Sequence, residues 1–297
     1  MIKYGCFALM LLFVQTLNIS DNVLLTLEGE SIGSVNRLEF QSMIGKSILD
    51  VDKVEDFLEK LDQQIKKEPQ NARIDQYGTI VEEELGYKLD RQKFSESFYT
   101  YYYGRGPMTI ELPTTPIYPK VDSELLGNIR VKQIGHYTTY FNRRKKGRVQ
   151  NITLAAEAIN NHVVFPGESF SFNQVVGQRT FEKGYLPAPV IIKGRVYRDF
   201  GGGICQVSST LFNAVDRAGV QILQRYSHSK RVPYVPPGRD AQVSWYGADF
   251  RFKNIHNQPI LIQAKVYGGA LSIAIYSSEV IEIKTRDVPN APEEILL

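Results

Sequence analysis

From Val207 onward the apolar residues fall at Val207, Leu211, Ala214, Val215 and Ala218. That spacing follows one face of a 3.6-residue repeat and predicts an amphipathic helix. Gly219 stands where a helix C-terminal glycine belongs. Leading in is Gly201-Gly202-Gly203-Ile204-Cys205, so Cys205 is expected at or just before the first turn. Elsewhere the same periodicity predicts helices over Val54, Leu58, Leu61 and Ile65, over Phe94, Phe98 and Tyr101, and over Ile152, Ala155, Ala156, Ile159 and Val163. Asp52 with Glu55 reads as the capping signal of the first, and Asp90 as the cap of the second.

Alternating or continuous short apolar runs predict strands at Val23 to Leu27, Met108 to Leu112, Val131 to Phe141, Ser169 to Phe172, Tyr185 to Ile192 and Val220 to about His228. Tyr77-Gly78 marks a hairpin. Residues 229 to 239 form a proline-rich loop. Residues 241 to 246, 249 to 254, 259 to 267 and 270 to 276 read as an antiparallel meander, with a strong turn at Gly268-Gly269. Pro113, Pro116 and Pro119 mark a linker. Residues 142 to 148 read as a basic, solvated loop, and the tail from 285 as polar and loose.

The predicted class is α+β: a small N-terminal α+β domain over 21–118 and a C-terminal α+β domain with a largely antiparallel sheet over 119–284, followed by a polar tail over 285–297. Residues 1–20 carry Lys3 and then a mostly apolar run from Tyr4 to Leu17, the pattern of a signal peptide or membrane anchor. This points to a secreted or anchored protein outside the cytoplasmic membrane. The chain has 297 residues, 35 basic and 32 acidic, a balance that argues against nucleic acid as a partner. Its two cysteines, Cys6 and Cys205, leave the folded part with one thiol, which excludes an internal disulfide there and zinc sites built on several cysteines. A free thiol is unusual in an exported protein and draws attention to Cys205.

A helix N-terminus favours thiolate over thiol, and three glycines allow close approach of backbone and ligand. His228 follows 23 residues later. A strand returning from the helix would bring it to the thiol as a general base, with Asp240, or alternatively Asp249, fixing its tautomer. The equally open reading is a buried structural cysteine with a capped loop at His228. His136 reads as a core residue, His162 and His256 as surface residues. Gly201, Gly202, Gly203, Gln206, Ser208, Ser209 and Arg179 are candidate binding residues. No metal or cofactor is expected.

Phe165-Pro-Gly-Glu-Ser-Phe-Ser-Phe-Asn173, Gly177-Gln-Arg-Thr180, Gly184-Tyr185, Gly201 to Leu211, His228-Ser229, Tyr234 to Ala241 and Asp249 to Asn254 together resemble the VanW-like domain. The block over about 50 to 118, through Asn71-Ala72, Gly86 and Leu89-Asp90, is similar to a peptidoglycan-binding domain that often precedes it. The family is named for an accessory protein of vancomycin-resistance clusters, so the resemblance implies a role at the bacterial envelope. By a more distant analogy, the order Cys, His, Asp resembles the transglutaminase-like or papain-like core. Two functions are therefore expected: an envelope protein that binds peptidoglycan or its precursors, or a Cys-His-Asp acyl-transfer enzyme acting on wall peptides as an amidase, peptidase or transpeptidase. Redox sensing at Cys205 ranks last, because no resolving cysteine accompanies it.

Overall fold

The structure is a computed structural model that describes residues 21–43, 45–192 and 195–293. The signal peptide or membrane anchor expected over 1–20 lies outside the described residues. Among those described, no helix is long and apolar enough to cross a membrane. The fold is α+β and forms two compact units. One comprises the chain up to Gln70 together with Glu84–Lys120; the other comprises Asn71–Glu83 and the chain from Val121 onward.

In the first unit, strand Asn22–Leu27 pairs antiparallel with Glu30–Asn36 and parallel with Met108–Glu111. Helix α1 (Val51–Ile65) buries Val54, Leu58, Leu61 and Ile65, the face its periodicity predicts. Its cap is Asp50, whose carboxylate accepts the Lys53 N–H at 3.3 Å, and not Asp52, which lies within the first turn. Helix α2 (Arg91–Tyr103) is capped by Asp90 as expected and ends at Gly104. Phe40, Phe94 and Phe98 close the core between the helices with edge and stacked ring contacts. The proline stretch is not a free linker: Thr114–Ile117 is a strand paired with Gly86–Leu89, with Pro116 opposite Tyr87. A two-strand ribbon has open edges, where a residue without an N–H is tolerated.

The second unit is built on a four-stranded antiparallel sheet. The strands run in the order Lys132–Tyr140, Ala270–Ser277, Ile260–Tyr267, His162–Val164. The Gly268-Gly269 hairpin is present, but the expected four-strand meander is not. Residues 241 to 246 contribute one bridge, Tyr226 to Gln242, and Arg251–Lys253 joins a separate sheet between Ser169–Ser171 and Gln221–Gln224. Helix α3 (Ser123–Ile129) precedes the first strand. Helix α4 (Lys146–Ile159) begins inside the basic run and stops four residues before Val163. Asn161 adopts φ +64° and His162 pairs with Ile262, which turns the end of the expected helix into strand. Helix α5 (Phe172–Val176) is short.

Helix α6 (Ile204–Arg217) is the centre of this unit, with Val207, Leu211, Ala214 and Val215 fully buried. It lies against strand Lys132–Tyr140 at a distance only glycine allows. A Cβ on Gly135 would stand 2.3 Å from the Ala214 carbonyl oxygen. Pro187–Ile192 and Arg195–Phe200 form a hairpin; the second strand was not foreseen. The tail is docked instead of loose. Arg217 bonds the Val288 carbonyl at 2.5 Å, Tyr137 donates to the Pro289 carbonyl at 3.0 Å, and Val288 is 3% exposed.

Candidate active site

Helix α6 starts at Ile204 behind Gly203, whose φ is +114°. The Ile204 N–H bonds the Gly201 carbonyl at 3.1 Å and the Gln206 N–H bonds the Gly203 carbonyl at 2.9 Å. Cys205 thus sits in the first turn, between two residues whose N–H groups are taken by these short contacts. Its thiol is partly buried and lies 3.4 Å from the Val243 carbonyl oxygen as donor.

His228 does not end a strand. Strand Gln221–Gln224 finishes earlier, and His228 lies in irregular chain just beyond the Tyr226–Gln242 bridge. Even so, it lines the same cavity as Cys205. Burial pulls its imidazolium pKa down, but hydrogen bonds and charge from Cys205 and Asp240 outweigh that and leave the pKa raised. Nδ1 lies 2.7 Å from Asp240 Oδ2, and the same oxygen accepts the His228 backbone N–H at 2.6 Å. Nε2 is therefore the ring atom left for the Cys205 sulfur. Burial raises the Asp240 carboxyl pKa, and the bonds from His228 more than offset this and hold it low. Asp249 plays no part here. It accepts from Ser171 Oγ at 2.7 Å and from the Asn173 N–H at 2.9 Å, fixing the start of α5.

The residues on either side of Asp240 are bolted to the helix that carries Cys205. Ser208 Oγ donates to the Ala241 carbonyl at 2.6 Å, and the Ala241 N–H donates to Ser209 Oγ at 2.8 Å. Arg239 reaches Asn213 Oδ1 and Asp216 Oδ2, each at 2.7 Å. Ser208 and Ser209 are fully buried, hold the chain beside the acid in place and are not among the residues that line the cavity. Gln206 is also buried but does line the cavity described below, and its Oε1 accepts from Arg148 Nη2 at 2.6 Å.

A cavity of about 980 Å³ opens over the thiol. Cys205, His228, Gly201 and Gly203 line it with Arg148, Arg179, Tyr234 and Trp245. Gly202 instead packs under the hairpin, where a Cβ would stand 2.6 Å from the Ala188 carbonyl. Burial raises the Tyr234 phenol far above its ordinary pKa, so it stays neutral. Arg148, Tyr234 and Trp245 were missed in the sequence. Arg148 was legible: it lies one turn before Ile152 on the buried face of α4, not on a solvated loop.

The other histidines lie elsewhere. His136 Nε2 lies 2.8 Å from Ser272 Oγ, His256 Nε2 lies 2.9 Å from the Ala218 carbonyl, and His162 meets the Phe170 ring edge at 5.2 Å.

No solved structure matches the chain significantly. The family model described as VanW like protein matches residues 147–276, which hold Cys205, His228 and Asp240. The Bacillus subtilis (strain 168) protein named "Uncharacterized protein YoaR" is 56% identical over 285 residues, covering 96% of this chain and 94% of its own length. The vancomycin B-type resistance protein VanW of Enterococcus faecalis is 29% identical over 124 residues, 40% of this chain and 45% of that protein. On this likeness the chain belongs to the VanW-like family.

Proposed function

We propose that the second unit is a cysteine acyl-transfer enzyme that cleaves or exchanges peptide bonds of the cell wall, outside the cytoplasmic membrane. Membership of the VanW-like family supports a cell-wall-related role. The observation that carries the chemistry is that His228, hydrogen-bonded to Asp240, shares one cavity with Cys205 at a helix start. In the first step the thiol proton passes to His228 Nε2 as Sγ bonds the carbonyl carbon. The backbone N–H of Cys205, in the first turn, suits the developing oxyanion. The C–N bond then breaks as His228 returns the proton to the leaving amine, and a thioester remains on Cys205. Water completes hydrolysis, or a second amine completes transpeptidation, again losing a proton to His228.

A second reading is a non-catalytic protein that binds peptidoglycan or its precursors, with the first unit contributing as a wall-binding module. The hydrogen bond from the Cys205 thiol to the Val243 carbonyl favours it, because that contact suits a resting thiol better than a thiolate.

The test is incubation of the full-length protein with muropeptides, followed by mass spectrometry. The acyl-transfer reading expects a covalent acyl adduct on the Cys205 peptide and new products, both absent in Cys205→Ala and His228→Ala. Retention on sacculi without adduct or product, together with iodoacetamide labelling of Cys205 that His228→Ala leaves unchanged, would select the binding protein.

A further inference from the structure

The cavity holds two guanidinium groups that the triad does not use. Arg148 comes from the first turn of α4 and Arg179 from the chain after α5. Both line the cavity together with Cys205. The glycine run seats both stems. A Cβ on Gly201 would stand 3.2 Å from Arg179 Cβ and Cγ, and one on Gly203 would stand 3.0 Å from Arg148 Cγ. The sequence that introduces the nucleophile therefore also places the two cations beside it.

Neither cation is held in an ion pair, although the charge of Asp249 is felt at Arg179. Arg148 commits Nη2 to the amide oxygen of Gln206 at 2.6 Å, and Arg179 commits Nη2 to the amide oxygen of Asn173 at 2.8 Å. Among the described residues, no carboxylate forms an ion pair with either. Asp199, the acidic residue that lines the cavity, accepts the Phe200 N–H at 2.8 Å. Arg179 Nη1 is buried and has no hydrogen-bond partner. An orphaned donor on a desolvated cation is costly, and an anionic ligand in the cavity would remove that cost. Planar guanidinium forks pair bidentately with carboxylates and phosphates, and a peptide supplies the carboxylate. Tyr234 and Trp245 lie beneath the two cations, at 5.9 Å from Arg148 and 6.0 Å from Arg179, and give them flat apolar support.

We propose that Arg148 and Arg179 form a carboxylate-binding subsite beside Cys205, so that the acyl donor is a peptide bearing a free carboxylate close to the bond attacked. This rests on the acyl-transfer reading for its chemistry, although the anion site is testable without turnover.

The test compares alkylation of Cys205 by iodoacetate, a carboxylate, with alkylation by neutral iodoacetamide. It uses the full-length protein, read at the Cys205 peptide by mass spectrometry so that Cys6 does not contribute. Each rate ratio is normalised to N-acetylcysteine, which cancels differences in thiol nucleophilicity. The subsite predicts an iodoacetate preference of about tenfold, the worth of one charge-assisted hydrogen bond. The preference should vanish in Arg179→Gln and return in part in Arg179→Lys. N-acetylglycylglycine should slow iodoacetamide labelling more than its C-terminal amide does. A wild-type ratio equal to that of N-acetylcysteine would overturn the proposal and needs no variant to fold. Protection by inorganic phosphate equal to that by the dipeptide would overturn the carboxylate assignment. Loss of the acyl-transfer reading has a different signature: His228→Ala leaves the iodoacetamide rate unchanged while the iodoacetate preference stands.

Discussion

Asp240 Oδ2 accepts two hydrogen bonds from one residue, the Nδ1–H of His228 at 2.7 Å and its backbone N–H at 2.6 Å. The double contact sets the position of the chain and the tautomer of the ring together. Both groups are nearly sequestered, with 5% of the His228 side chain and 9% of the Asp240 side chain exposed. Because Asp240 is in turn held by neighbours fastened to α6, the nucleophile and its base are referred to one rigid helix.

Asp240→Asn puts an amide where Nδ1 needs an acceptor and favours the wrong tautomer. Turnover of the wall peptide should fall about 10²- to 10⁴-fold, the usual worth of a general base. Asp249→Asn should lower the melting temperature instead, since Asp249 serves Ser171 and Asn173. Equal losses of turnover in both variants would remove Asp240 from the triad.

The pair also has a pH window. The His228 pKa is raised in the folded protein, so its contribution to stability is complete below the unfolded value of about 6.5 and is lost as pH rises through the folded value. The Asp240 pKa is lowered, so its contribution is complete above the unfolded value of about 3.9 and is lost as pH falls through the folded value. Urea titrations of wild type and His228→Gln should differ most between about pH 4 and 6.5. A difference that grows above pH 7 would contradict the assignment.

Gly203→Ala places a Cβ at φ +114°, 3.0 Å from Arg148 Cγ and 3.1 Å from Ile152 Cγ1. The strained backbone alone should cost about 1–3 kcal/mol in urea unfolding. The displaced arginine should also reduce the iodoacetate preference of Cys205. A variant of wild-type stability would show that the helix start does not need this conformation.

Asp216 takes Arg239 at one oxygen and Arg286 at the other, each at 2.7 Å, and is 13% exposed. Asp216→Ala should cost about 3 kcal/mol by chemical denaturation, because it strands the partly buried Arg239 beside the Phe212 ring. A loss below about 1 kcal/mol would mean the network behaves as solvated surface pairs.

Several elements were legible because their information is local. The apolar faces of α1, α2 and α6 follow from spacing alone, and the 3.6-residue repeat brings those side chains to one side whatever they pack against. Asp90 and Gly104 bound α2 for the same reason: caps satisfy backbone groups within a few residues. Errors gathered where distant chain decided the outcome. The last turn expected of α4 became strand because Ile260 and Ile262 offered His162 and Val164 a sheet edge. The tail is fixed by Arg217, Tyr137 and Asp216, residues 70 or more positions away in several of its bonds.

At the site the division is the same. By itself the sequence determined that a cysteine would stand at or just before the first turn of an amphipathic helix behind three glycines, with His228, Asp240 and Asp249 following as its candidate partners. Tertiary structure alone decided that Asp240 and not Asp249 meets His228, that Ser208 and Ser209 hold the loop, and that Tyr234 and Trp245 line the cavity over the thiol. Periodicity specifies which face of an element turns inward. The partner waiting on that side depends on loop paths and sheet order, which only the packed core fixes.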